Sequence, residues 1–151
     1  MALSLPKEAF LALAALGWAD GRMTAVEKAG LLRASKECGL AEADMDVVAM
    51  ALVKESSLAD FVPGDMTQWQ RIMTFALGSW FARLDGVMST EEHESLKLLG
   101  KRLDLDKAVC DRASAAAFDI SVLPDGGKPD KFDFAKLEAR LREKLAQYID
   151  K

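Results

Sequence analysis

A chain of 151 residues that is 50 % hydrophobic and 29 % charged, with only 4 prolines, is long enough for one domain with a real core and too apolar to be disordered. A formal charge of −4 and a pI near 5.1, with acidic residues scattered rather than blocked, argue against nucleic acid or an anionic membrane as the main partner. Cys38 and Cys110 stand 72 positions apart and form no CxxC pair, and no signal-type segment is recognised, so a reducing cytoplasm is the expected location.

The opening "MALSLPKEAFLALAALGWADG" is apolar, but its run from Ala9 to Ala19 is too short to span a bilayer and has Lys7 and Glu8 at its front. It reads as a buried helix. Next comes "ADGRMTAVEK", in which Asp20-Gly21 signals a sharp turn, Met23 an inward-facing staple, and Thr24-x-x-Glu27 a capping box that opens the next helix. That helix carries a Leu31, Ala34, Cys38 stripe, which makes Cys38 a small core residue, and Gly39-Leu40 supplies a left-handed C-terminal cap. No cationic neighbours mark Cys38 or Cys110 as a reactive thiol. Trp18, beside Asp20, is expected in the core, with a groove position as the alternative.

The stretch "ESSLADFVPGDM" is expected to be a surface loop. Beyond it, Trp69, Ile72, Met73, Ala76, Leu77, Trp80, Phe81 and Leu84 recur at helical spacing and predict one wide apolar face. Then the earlier motif returns 65 residues on as "LDGVMSTEEH": Asp85-Gly86, Met88, Ser89 and Glu92 take the places of Asp20-Gly21, Met23, Thr24 and Glu27. Phe10 aligns with Phe75, Leu31 with Leu96 and Leu40 with Leu105, so two units of helix, turn, helix, turn, helix are expected over about 10–52 and 75–117. Asp104 replaces Gly39, and Asp enters the left-handed region less readily, so a strained or differently built second turn is expected. "ISVLPDGGKPDKFD" reads as a mobile surface loop that leaves the last helix, at about 132–149, partly independent. That helix, with Phe134, Leu137, Leu141, Leu145 and Tyr148 on one side, should close the bundle as an amphipathic lid. No alternating pattern predicts strands, so the fold is an all-α bundle of about seven helices in a single domain.

The repeated Asp, Gly, apolar residue and Glu match the second half of an EF-hand calcium loop. The first half fails, because Leu16 and Trp18, or Phe81 and Arg83, stand where calcium needs oxygen ligands. Two readings stay open. Either the segments only join helices, or Asp20 with Glu27, and Asp85 with Glu91 or Glu92, hold a divalent cation with carboxylates from elsewhere in the fold. Ala25-Val26 stand in the first copy where Thr90-Glu91 stand in the second, so the two sites would be unequal. His93, the one histidine, lies in an acidic first helical turn and reads as a solvated residue. No nucleophile elbow or phosphate loop accompanies it, so an enzyme is not expected.

The stretches "LGWADGRMTAVEKAGLLRASKECGL" and "GSWFARLDGVMSTEEHESLKLLGKRLDL" resemble the TerB-like family, helical domains of bacterial tellurite resistance and stress response related to the N-terminal region of membrane-anchored DnaJ-like co-chaperones. The resemblance covers about 10–117 and implies a compact bundle of about seven helices. It implies a non-enzymatic accessory role in a bacterial stress response, with weak cation binding at Asp20, Glu27, Asp85 and Glu92. The competing expectation is protein interaction or a co-chaperone-like scaffold, working at the groove between the last helix and the two units.

Overall fold

The apolar periodicity resolves, in a computed structural model that describes residues 5–19, 21, 23–55, 57–58, 61–83, 89–123 and 132–149, into helices with no strand among the described residues. They are α1 Lys7–Gly17, α2 Ala25–Glu37, α3 Glu42–Ala51, α4 Gln68–Phe81, α5 Thr90–Arg102, α6 Lys107–Ser121, α7 Phe134–Lys144 and a last short turn, α8 Ala146–Ile149. None is long and apolar enough to cross a membrane.

Three of the helices, α2, α4 and α5, start at capping boxes. Thr24 Oγ1 accepts the Glu27 N–H at 3.1 Å while Glu27 Oε1 accepts the Thr24 N–H at 2.9 Å; Ser89 and Glu92 make the same pair of bonds at 3.0 and 3.2 Å. A third box, Thr67 with Gln70, opens α4 at 3.1 and 2.9 Å. α2 and α5 begin at Ala25 and Thr90 and end at Glu37 and Arg102, in both cases 65 positions apart. Their C-terminal turns also correspond: Leu40 N–H reaches Ser35 O at 3.2 Å and Leu105 N–H reaches Gly100 O at 3.0 Å, the long bond of a Schellman motif. Gly39 sits at φ 77° and Asp104 at φ 58°, so the second turn is built like the first, with a non-glycine residue in the left-handed region. The expectation of a differently built turn is therefore corrected, and that of strain is kept.

The core gathers on α4, where every residue from Ile72 to Phe81 is buried, Thr74 and Ser79 included. The single apolar face expected from the sequence is too narrow, because α1, α5 and α6 all pack on this helix and α2 and α8 touch it. Small residues permit the approach: a Cβ on Gly78 would lie 2.9 Å from a Leu99 methyl and 3.3 Å from one of Leu13. Met23 reaches inward as a staple, its methyl 2.8 Å from where a Gly17 Cβ would stand. Met88 lies outside the described residues.

Two further expectations are corrected. The segment between α3 and α4 is not merely a surface loop, since Leu58, Phe61 and Met66 are buried and Arg71 donates to the carbonyls of Met66 at 3.0 Å and Leu103 at 2.9 Å. The C-terminal part is not independent. Phe132 and Phe134 pack on Trp80 with centroids 4.9 and 5.1 Å away, Arg33 donates to the Phe132 carbonyl at 2.8 Å, and Leu137, Leu141 and Leu145 have no exposure. The lid also breaks at Leu145, φ −123°, which lets α8 turn onto α4 while Leu145 stays buried.

Candidate functional site

The sequence nominates Asp20, Glu27, Asp85, Glu91 and Glu92, of which Glu27, Glu91 and Glu92 are among the described residues. Asp20 and Asp85 lie outside the described residues. Glu27 and Glu92 are each 3 % exposed, turned back onto their own helix starts by the capping bonds, whereas Glu91, one position earlier on α5, faces solvent. Among the described residues no three or more of His, Cys, Asp and Glu gather where they could hold an ion.

Trp18 answers to both of its expected places. It is half-buried, donates its indole N–H to Ala51 O at 2.9 Å, and lines a hollow of about 490 Å³ with Leu58 and Leu98, rimmed by Glu55.

Both cysteines are free. Burial pushes the Cys38 thiol up to about 12, and the carboxylates of Glu37 and Glu138 add to the shift. Burial also raises Cys110 to about 11, with Asp111 and Asp106 adding and Lys107 opposing. Thiols held so far above neutral pH are poor nucleophiles and poor metal ligands, as their inward spacing implies.

The larger hollow, about 640 Å³, lies between α5 and α6 and was not indicated by any local motif. Its floor is Phe75, Leu96, Gly100, Leu105 and Cys110. Gly100 lets that floor pack closely: a Cβ there would meet Cys110 Sγ at 2.9 Å and the Phe75 ring at 3.3 Å. The rim carries Arg83, Lys97, Lys101 and Lys107, with His93 at the same edge and Asp111 among its lining residues. Lys107 pairs with Asp111 at 2.8 Å and Lys97 with Glu94 at 3.7 Å, both exposed pairs of the kind worth about 0–1 kcal/mol. The groove expected between the last helix and the rest is by contrast filled by the apolar side of α7, leaving a hollow of about 230 Å³ beside Arg112, Asp119 and Lys144. The positive edge of α5 has a sequence signal, Lys97 and Lys101 one turn apart and flanking Gly100, but Arg83 and Lys107 join it only through tertiary packing. Compared with known protein families, with curated proteins and with solved structures, the chain has no match.

Proposed function

We infer that this chain is a non-enzymatic helical accessory domain, resembling TerB-like stress-response domains, that works by binding another protein, and that its repeated Asp-Gly segments serve as helix joints. The observation that carries this reading is the state of Glu27 and Glu92. Each is buried and accepts the backbone N–H of its own capping residue, so the one pair of motif carboxylates within the described residues already has a structural task. The matching spans of α2 and α5, and the matching turns at Gly39 and Asp104, support a duplicated three-helix unit as the origin of the repeat.

A second reading, weak divalent-cation binding at Asp20 with Glu27 and at Asp85 with Glu91 or Glu92, is favoured by one feature: buried carboxylates stand at equivalent places in both segments. A charge removed from water is stabilised by an opposite charge. Calorimetric titration with calcium, magnesium, zinc and manganese separates the two. Joints give no heat of binding from the native protein, whereas a cation site gives a saturable isotherm that disappears in Asp85→Asn/Glu92→Gln.

A further inference from the structure

We propose that the α5–α6 groove is the docking site for an acidic amphipathic peptide segment of a partner protein; this rests on the protein-binding reading above and names its surface and ligand class. Three observations select the occupant. The floor formed by Phe75, Leu96, Leu105 and Cys110 offers apolar burial to an anchor side chain, and the volume of about 640 Å³ accepts one or two such anchors. His93, Lys97 and Lys101 follow one another at i, i+4 and i+8 along α5, a line of about 12 Å. A line of positions of that length suits a ligand with repeated carboxylates, whereas a single-headed anion would engage one of them. The sign of the rim is also opposite to that of the chain, whose formal charge is −4, so the groove attracts an acidic segment that the rest of the surface repels. A polynucleotide shares the repeated charge, but it gains little from an apolar floor and meets the same repulsion from the remainder of the molecule.

The partners already present on the rim do not block this. Lys107–Asp111 and Lys97–Glu94 are exposed pairs that exchange readily for a ligand carboxylate. An anchor entering between α5 and α6 would lie over the Phe75 ring and Cys110, which pack directly against Gly100.

The test is selection of a displayed random library of ~12-residue peptides, long enough to follow the stripe as a helix, on the full chain. Counter-selection uses Lys97→Glu/Lys101→Glu, two exposed changes that leave the core intact. The expected result is enrichment of peptides with one or two aliphatic or aromatic residues among Glu and Asp. Their affinity should fall at least tenfold in the double variant and severalfold between about 50 and about 300 mM salt, and amide shift changes should centre on α5 and α6. Enriched peptides that bind native protein and variant alike, or whose shifts map elsewhere, overturn the groove and leave protein binding standing. Failure to enrich any peptide overturns both. Dodecanoate or oligo-dT is run alongside: saturable binding of either at the same residues, without acidic-peptide binding, assigns the groove to that ligand class and overturns the proposal.

Discussion

Trp18 donates its indole Nε1–H to the carbonyl of Ala51 over 2.9 Å, tying the residue after α1 to the last residue of α3, 33 positions away. The bond satisfies a helix-end carbonyl that has no partner further along α3 and fixes the wall of the hollow beside Trp18. Trp18→Phe keeps most of the ring and removes the donor. It should lower stability by about 1–2 kcal/mol, the cost of a half-buried carbonyl losing its donor, as a reduced urea midpoint at unchanged slope.

The two capping boxes of the repeat hold corresponding helix starts through the same pair of bonds, so they predict similar losses. Thr24→Ala and Ser89→Ala should each cost about 1 kcal/mol, because the Glu27 or Glu92 N–H loses its hydroxyl acceptor while the backbone N–H of the capping residue can still bond the glutamate. Chemical denaturation of the two single variants checks this. A loss below about 0.3 kcal/mol in either would mean that the box at that turn does not hold the helix start.

The left-handed turns give a prediction of opposite signs. Nothing stands within 4 Å of a Cβ at Gly39, so Gly39→Ala is penalised by its φ of 77° alone and should destabilise by about 1 kcal/mol or more. Asp104→Gly, at φ 58°, should stabilise by about 0.5 kcal/mol, the relief of strain exceeding the added freedom of the unfolded chain. Thermal melts of both variants in one buffer give the two signs directly.

These turns also show which parts of the fold were legible. A capping box or a glycine cap depends on residues within one helical turn, so Thr24 with Glu27, Ser89 with Glu92 and Gly39 with Leu40 can be read without tertiary knowledge. The same rule applied to Thr67 and Gln70 gives the start of α4. Burial is another matter. Leu58, Phe61 and Met66 lie among turn-forming residues and are buried by their position in space, and α4 is surrounded because three helices converge on it. The break at Leu145 follows from packing on α4 rather than from a Gly or Pro in the chain. The cationic groove is of the same kind, since Arg83, Lys101 and Lys107 are separated in sequence and become one rim only when α5 and α6 meet beside Phe75.

Cys38 supplies a pH dependence with a definite sign. Unfolded, a cysteine loses its proton near its ordinary value of 9.0; folded, burial and the neighbouring carboxylates hold it to about 12. Between those values the unfolded chain binds fewer protons than the native one, so the contribution is fully present below about pH 9 and is lost as pH rises towards about 12. Urea unfolding at several pH values in this window should show stability falling with pH, and the fall should be shallower in Cys38→Ala. Equal slopes would mean that the thiol is not held protonated by the fold.

If the repeated segments only join helices, the working surface lies elsewhere and the Asp-Gly turns bind no cation. The most direct measurement is the melting temperature of the chelator-treated native protein with and without about 1 mM calcium, magnesium, manganese or zinc. A site with a dissociation constant of ~0.1 mM would then add roughly 1.4 kcal/mol, about 3–6 °C for a domain of this size. Helix joints give no cation-dependent rise. A rise of that size with any of the four ions, abolished by Asp85→Asn/Glu92→Gln, would contradict that role and make the Asp-Gly segments binding sites.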